Sequence, residues 1–270
     1  MLPVEGMRNN QILHGDCLNV LPTLQNETVS LVITSPVYAM QRRKQYGGIP
    51  ESEYPAWTCA WMERLRPKLR QNASIVINIR PHVRDGCISD YVLRTRLAIR
   101  DCGWFEIDEL IWFQPDKPPL GHIRRPRRAY ESLLWYSNSK RPYVDPFAAG
   151  TPLLHPWGGL RSKYSSGKSP IHGGQRTKPT RDSARMTDVI RGTTGTIDRN
   201  VLHPAMMPRD VVRPLVKLLS RPGDLVLDPM VGSGTVPLVC RELGRQYIGI
   251  DRKIEYVRLA RRRLQEMSDR

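Results

Sequence analysis

Cysteine pairs and long apolar runs are both lacking in this 270-residue sequence. The five cysteines are scattered, with no Cys-x-x-Cys pair and no histidine at metal-ligand spacing, so we expect reduced thiols and no metal site. No apolar run approaches the ~20 residues of a membrane span, and the first residues, MLPVEGMRNN, lack the apolar core of a signal peptide. These features predict a soluble, cytoplasmic protein with no membrane partner.

Acidic residues are few relative to basic ones. Lys and Arg number 42 against 26 Asp and Glu, which gives a formal net charge of +16 and a pI near 10.0. An excess of this size favours a polyanionic partner such as a nucleic acid. The alternative is a solvated basic surface that serves only to keep the protein in solution.

Alternating strand and helix patterns predict the fold class. Apolar runs typical of buried strands occur at 11–16, 31–34, 74–79, 106–113, 131–138, 225–227 and 247–250. Helical spacing of apolar residues occurs at 54–69, 91–103, 211–219, 236–243 and 254–267. Strands that alternate with helices in this way predict an α/β protein with a doubly wound, mostly parallel sheet.

The regular pattern is absent between Gly150 and Asn200. This stretch is rich in Gly, Ser, Thr and Pro and in basic residues, with neither a strand nor a helix period over any useful length. We predict that 150–200 is an insertion or binding lobe, and that 1–149 and 201–270 are two halves of one domain. A disordered linker is the alternative, although such a linker would have to lead straight back into the same domain.

Two predicted loops at strand ends are candidates for function. The first begins at Ser35, because Pro36 cannot donate to a sheet ladder, and it presents Tyr38 just beyond the strand. The second follows Asp228, where Gly232 and Gly234 allow a sharp turn and a close approach of backbone to a ligand.

The glycine loop predicts a nucleoside-type cofactor. Asp251 ends the next strand, where a carboxylate can accept both hydroxyls of a ribose. A nicotinamide site is the competing interpretation, but Pro237 replaces the third glycine of G-x-G-x-x-G, and Asp228 would repel a pyrophosphate. S-adenosylmethionine suits the sequence better, since it has two positive centres, a ribose and no phosphate.

The motifs Ser35-Pro36-Val37-Tyr38 and DPMVGSGT, which spans 228–235, occur together in this chain. The pair resembles the β-class amino-group DNA methyltransferases, a circularly permuted Rossmann-like fold that depends on S-adenosylmethionine. In that family an S/D/N-P-P-aromatic motif comes first, a target-recognition region follows, and a D-P-F-x-G-S-G-T motif lies near the C-terminus. The chain follows this order over essentially its full length outside 150–200.

The resemblance extends to three shorter segments. Gly15-Asp16 looks like the short acidic motif of the family, His203-Pro204 looks like the start of its H-P-x-x-x-P segment, and RQYIGID matches its second cofactor strand. The cofactor-binding residues that the resemblance implies are Asp16, His203, Pro204, Asp228, Pro229, Gly232, Ser233, Gly234, Thr235 and Asp251.

By the same resemblance, Ser35, Pro36 and Tyr38 are catalytic. The implied reaction is site-specific transfer of a methyl group to the exocyclic amino nitrogen of a flipped base in double-stranded DNA, as in restriction-modification. This nitrogen is a poor nucleophile because its lone pair is delocalised into the ring. The Ser35 hydroxyl and the Pro36 carbonyl would accept its hydrogens while Tyr38 stacks on the base. Methylation at the cytosine ring carbon is disfavoured, because the chain has no Pro-Cys dipeptide.

Val37 departs from the family pattern, which has a second proline at that place. A serine in the first place is typical of N4-cytosine members, whereas Asp or Asn is typical of N6-adenine members, and Val37 fits neither form. Cytosine is therefore favoured slightly, and adenine stays open.

DNA contacts are expected from the 150–200 segment and from a basic cluster at 124–128. Most of these side chains would touch phosphates, and one or two would read guanine edges. For 124–128, the alternative is a solvated turn that does not contact DNA. The resemblance also implies a possible homodimer. The candidate DNA-binding residues are Arg124, Arg125, Arg161, Lys163, Lys168, Arg176, Lys178, Arg181 and Arg185.

Two other functions compete with this prediction. A DNA-binding protein that kept the scaffold and lost catalysis would explain Val37, but the intact Ser35, Tyr38 and Asp251 argue against it. An enzyme that acts on RNA or on a protein amide is the other, and the basic middle segment favours duplex DNA over both substrates.

Overall fold

The computed structural model describes residues 9–40, 48–116, 124–150, 184–193 and 206–268. The strands, in chain order, are β1 (Gln11–His14), β2 (Val29–Thr34), β3 (Leu69–Ile79), β4 (Val83–Arg84), β5 (Cys87–Ile88), β6 (Phe105–Phe113), β7 (Tyr130–Ser137), β8 (Val189–Arg191), β9 (Leu225–Asp228) and β10 (Gln246–Asp251). The α-helices are α1 (Cys17–Val20), α2 (Tyr54–Leu65), α3 (Tyr91–Asp101), α4 (Arg209–Leu219), α5 (Thr235–Glu242) and α6 (Ile254–Ser268).

Eight of the described strands form one sheet in the order β1-β10-β9-β2-β3-β7-β6-β8, and β4 pairs with β5 in a separate hairpin. The pairs from β1 to β3 are parallel, as is β6 with β8, whereas β7 runs antiparallel to both of its neighbours. The predicted α/β fold with a mostly parallel sheet is confirmed.

The two ends of the chain share this sheet. β9 and β10 come late in the sequence but lie between β1 and β2, so the C-terminal βαβ unit completes the sheet that the N-terminal strands begin. β8 comes from the segment without a sequence period and extends the far edge beside β6.

Helices cover both faces of the sheet, and the side chains of the central strands alternate between those faces. On β2, Leu31 and Ile33 pack with α4, α5 and α6, whereas Val32 packs on the opposite side with α1, α2 and α3. Because both faces are buried, the central strands are nearly continuous apolar runs.

One helix is shorter than its sequence pattern predicts. The apolar spacing of 54–69 predicts a single helix, but α2 ends at Leu65 and a short 3-10 turn covers 66–68. Pro67 has no backbone N–H, and its ring would clash with the carbonyl of the preceding turn, so the α-helix cannot continue through it. Leu69 then belongs to β3, which begins five residues earlier than the apolar run SIVINI.

Within the described ranges, no helix is both long enough and apolar enough to cross a lipid bilayer.

Candidate active site

The two motif loops leave the sheet at the same edge. β2 and β9 are hydrogen-bonded parallel neighbours, with Val32 opposite Leu227. Ser35 lies three residues beyond the first of these positions and Asp228 one residue beyond the second. The serine loop and the glycine loop therefore emerge side by side from the carboxyl ends of adjacent strands, the usual position of a ligand site in an open α/β sheet.

The glycine loop depends on left-handed backbone at two positions. Gly232 has φ of 48° and Gly234 has φ of 80°, a region that L side chains rarely adopt. Gly234 also lies against α6, since a Cβ atom there would be 2.8 Å from the Cβ of Ala260. The Val231 N–H donates to the Ile250 carbonyl at 2.8 Å, which holds the loop against β10.

Asp251 holds the glycine loop from the end of β10. Its Oδ2 accepts a hydrogen bond from the Gly232 N–H at 3.0 Å, and its Oδ1 accepts one from the Lys253 N–H at 2.8 Å. Burial raises the pKa of Asp251, and the two backbone hydrogen bonds act in the opposite direction. Each carboxylate oxygen keeps a lone pair that can accept a ribose hydroxyl.

A backbone hydrogen bond holds the turn that carries Asp16 next to Asp251. The Gly15 N–H donates to the Asp251 carbonyl at 2.9 Å, so the acidic turn after β1 joins the same edge of the sheet. Oδ1 of Asp16 caps α1 by accepting the Leu18 N–H at 2.9 Å. Its other carboxylate oxygen is the one that a ligand can use.

Asp228 is buried at the end of β9, with 5% of its surface exposed. Burial raises its pKa from 3.8 to about 7, and the nearby Asp251 acts in the same direction. A hydrogen bond from the Met230 N–H at 3.1 Å lowers the pKa and so partly offsets burial. This carboxyl group therefore changes its charge near neutral pH.

Three other residues of the glycine motif are buried. Pro229 lies in the turn after β9, and the hydroxyls of Ser233 and Thr235 are 3.4 Å apart. These two hydroxyls face each other in the interior, so their contribution to a ligand would come through the backbone at the start of α5.

The serine loop sits on a polar network that the sequence analysis did not predict. Oγ of Ser35, which is half-buried, accepts a hydrogen bond from Nδ2 of Asn78 at 3.4 Å. The Tyr38 hydroxyl donates to Oε2 of Glu131 at 2.5 Å. Burial and the Glu131 charge raise the pKa of Tyr38, which therefore keeps its proton. Asn78 interrupts the apolar run SIVINI, a signal that could have drawn attention to it, whereas Glu131 carries no comparable signal.

The basic cluster at 124–128 lies at the same edge of the sheet. Arg124 and Arg125 are exposed, and the Arg125 guanidinium donates to the Gly86 carbonyl of the β4–β5 hairpin. The cluster borders a cavity of about 360 Å³ that Phe113 and Tyr130 also line. Arg185 is exposed as well, but it precedes β8, which runs parallel to β6, and the Met186 N–H donates to the Pro146 carbonyl. It therefore lies towards the amino ends of the strands, away from the two loops.

The remaining predicted site residues lie outside the described part of the chain. They are Arg161, Lys163, Lys168, Arg176, Lys178, Arg181, His203 and Pro204.

The described site fits S-adenosylmethionine. Asp251 has free lone pairs for a ribose, the glycine loop brings backbone N–H groups to a helix start, and Asp228 places a titratable carboxyl group where a cationic ligand would gain from its charge. In the described ranges, no group of three or more His, Cys, Asp or Glu side chains could hold a metal ion.

Comparison with known proteins agrees with this geometry. Residues 29–262 match a DNA methylase family, N6_N4_Mtase. The type II methyltransferase M.PvuII of Proteus hauseri is 26% identical, with 94% of this chain and 83% of the relative covered. M.XycI of Xanthomonas campestris pv. cyanopsidis is 28% identical, with 96% and 89% covered.

Solved structures share the fold. The structure of the PvuII DNA methyltransferase, described as cytosine-N4-specific, has a TM-score of 0.74 at 24% identity and covers 97% of this chain and 91% of its own. The M1.HpyAVI complex with SAM has a TM-score of 0.63 at 22% identity, with 94% and 98% covered.

Fold and site together define a Rossmann-like methyltransferase that uses S-adenosylmethionine. The chain belongs to the N6/N4 DNA methylase family, and it transfers a methyl group to an exocyclic amino group of DNA, cytosine N4 or adenine N6.

Proposed function

We propose that this enzyme methylates N4 of cytosine in a specific duplex sequence, with Ser35, Pro36 and Tyr38 as its catalytic residues. The observation that carries the proposal is the placement of Ser35 beside the Asp228–Gly234 loop, at the carboxyl ends of the hydrogen-bonded strands β2 and β9.

The chemistry requires acceptors around the amino group. When its hydrogens are held by acceptors out of the ring plane, the lone pair of the nitrogen is less delocalised and attacks more readily. Ser35 Oγ has one lone pair occupied by the Asn78 amide and keeps another for an amino hydrogen. The Pro36 carbonyl is the second acceptor, and bound S-adenosylmethionine supplies the methyl group.

Tyr38 offers an aromatic face to the base. Its hydroxyl is bonded to Glu131, so the ring is fixed at its far end and loses little freedom when a flipped base stacks on it. The hydrogen bond therefore prepares the ring for stacking rather than competing with it.

The cofactor would be held by the second loop and its neighbours. In this proposal Asp251 binds the ribose, and Asp16, Asp228 and the backbone from Pro229 to Thr235 surround the rest, together with His203 and Pro204.

Ser35 supports cytosine as the target base, because a serine in the first place of this motif is typical of the N4-cytosine members of the family. The description of the PvuII relative as cytosine-N4-specific is in line with this choice.

Duplex DNA would approach the carboxyl edge of the sheet. Arg124 and Arg125 are exposed there, and a net charge of +16 favours the phosphate backbone. We propose that 150–200 reads the sequence, since β8 anchors part of this segment beside Phe113. A homodimer and a cytoplasmic location stay predictions, and sedimentation velocity would test the first.

A tritiated-methyl assay on unmethylated genomic DNA, with Ser35→Ala as the variant, tests the assignment. We expect turnover to fall by roughly two or more orders of magnitude while the affinity for S-adenosylmethionine is unchanged, as for a contact made in the transition state. Digestion of the product to nucleosides and mass spectrometry should show N4-methylcytosine. Full activity of the variant would contradict the role of Ser35, and N6-methyladenine would contradict the choice of base.

A further inference from the structure

We infer that Glu131 is a positioning residue for this methyl transfer, which acts by holding the two sides of the serine loop in place. This inference rests on the proposed roles of Ser35 and Tyr38. Glu131 lies near the start of β7, two residues before Leu133, which pairs with Asn78 of β3. Because side chains two residues apart on a strand share a face, Glu131 and Asn78 point to the same side of the sheet.

The Glu131 carboxylate joins the serine loop to the end of β3. Its Oε2 accepts hydrogen bonds from the Tyr38 hydroxyl at 2.5 Å and from Nδ2 of Asn78 at 3.2 Å. Its Oε1 lies 3.7 Å from Nη1 of Arg80. Only 10% of the Glu131 side chain is exposed, so these contacts are made largely out of water, where they are strong and sensitive to geometry.

The carboxylate also determines which way the Asn78 amide faces. A carboxylate can only accept hydrogen bonds, so the NH₂ group of Asn78, and not its oxygen, must point towards Glu131. The same NH₂ group reaches Ser35 Oγ at 3.4 Å. Glu131 thereby makes Asn78 a donor to Ser35, and this bond fixes which lone pair of the hydroxyl remains for the substrate.

Glu131 is therefore one acceptor that orients two groups that would contact the target base, the Tyr38 ring and the Ser35 hydroxyl. Through Tyr38 it sets the ring on which the base stacks, and through Asn78 it sets the hydroxyl that accepts an amino hydrogen. Misplacement of such groups by about 1 Å is enough to lower a rate by as much as about a hundredfold.

The test is Glu131→Gln, which keeps the volume of the side chain and an acceptor for Tyr38 but removes the constraint on the Asn78 amide. In the tritiated-methyl assay with genomic DNA, we expect kcat to fall about 10- to 100-fold. The KM for S-adenosylmethionine and its Kd should both be unchanged. The matched control is Glu106→Gln. Glu106 is similarly buried, with 12% of its side chain exposed, and is paired with Arg96 at 2.7 Å near the opposite edge of the sheet.

A double variant separates positioning from general damage to the fold. If Glu131 acts through Ser35, then Glu131→Gln should lower kcat much less in the Ser35→Ala background than in the wild-type background. Three results would each overturn the inference. They are fully multiplicative losses of kcat in the double variant, a loss of kcat in Glu106→Gln equal to that in Glu131→Gln, and an unchanged kcat in Glu131→Gln. If Glu131→Gln does not fold, Asn78→Ala in the wild-type and Ser35→Ala backgrounds provides the same comparison, because it removes the amide through which Glu131 acts on Ser35. An active Ser35→Ala enzyme would contradict the proposed function instead, so the two failures are distinguishable.

Discussion

At the scale of single residues, the carboxyl groups at the ends of β9 and β10 are held in different ways. Asp251 receives two backbone N–H groups, one on each oxygen, whereas Asp228 receives one and is almost fully buried. Burial therefore dominates at Asp228 and raises its pKa to about 7. A titration near neutral pH follows for this residue.

Asp228→Asn should remove a pH dependence of stability. The pKa of Asp228 is raised in the folded state, so the group stabilises the fold fully below about pH 4, and that contribution is lost as the pH rises from about 4 to about 7. Asparagine stays neutral and can still accept the Met230 N–H. We expect the variant to gain stability relative to the wild type, by on the order of a few kcal/mol, between pH 4 and pH 8. Urea unfolding of both proteins without cofactor measures this, and parallel pH profiles would contradict it.

Asp251→Asn should weaken cofactor binding. The amide keeps the volume of the side chain and one acceptor oxygen, but it loses the charge. Its NH₂ group can accept neither the backbone N–H held at that position nor a ribose hydroxyl. Hydrogen bonds to charged groups are worth about 1.5–3 kcal/mol, so the Kd for S-adenosylmethionine should rise roughly 10- to 100-fold. Isothermal titration calorimetry gives the Kd, and DNA binding without cofactor serves as the control. An unchanged Kd would remove Asp251 from the site.

At the scale of elements, the start of α5 is constrained both by its backbone conformation and by its packing. Gly234 combines a left-handed backbone with direct packing on α6, whereas Gly223 has a similar φ of 83° and open space around it. The two glycines therefore form a matched pair in which only one is packed.

Gly234→Ala should destabilise the protein more than Gly223→Ala. Both changes place an L side chain in the left-handed region, at a cost of about 1–2 kcal/mol. At Gly234 the new methyl group would also lie 2.8 Å from the Cβ of Ala260, which adds roughly 1–3 kcal/mol of overpacking. Denaturant unfolding should show the difference, and equal losses would mean that α6 moves away freely.

Sequence patterns located most of these elements but not all of their limits. The helix over 91–103 is confirmed, with Gly103 just past its end and its N–H bonded to the Arg100 carbonyl. The end of α2 at Leu65 and the short strand β8 were not predicted. In the first case Pro67 outweighed the apolar spacing, and in the second three residues are too few to show a period.

At the scale of the whole molecule, positive charge is the dominant feature. The net charge of +16 is accompanied by exposed arginines at the edge of the sheet where the two loops emerge. A basic surface around the site attracts DNA without regard to its sequence and makes binding depend on salt.

Arg125→Ala should lower this salt dependence. If Arg125 neutralises one phosphate, the slope of log K against log salt concentration should become shallower by about one unit, with a nearly uniform loss of affinity across sequences. Arg100→Ala is the control, since Arg100 is exposed at the end of α3, near the start of β6 and away from the site. Fluorescence anisotropy with labelled duplexes at several salt concentrations measures both slopes. Equal slopes for Arg125→Ala and the wild type would contradict the proposed contact.

The sequence by itself determined the fold class and the two loops of the site, because these depend on neighbouring residues. Pro36 ends a strand wherever that strand lies, and Gly232 and Gly234 permit a left-handed turn in any surroundings. Only the tertiary structure decided that β9 lies beside β2, and that Glu131 reaches Tyr38 and Asn78 across 93 and 53 residues of chain. Such contacts depend on strand order and register, which arise when distant segments pack into one sheet, and no local pattern encodes them.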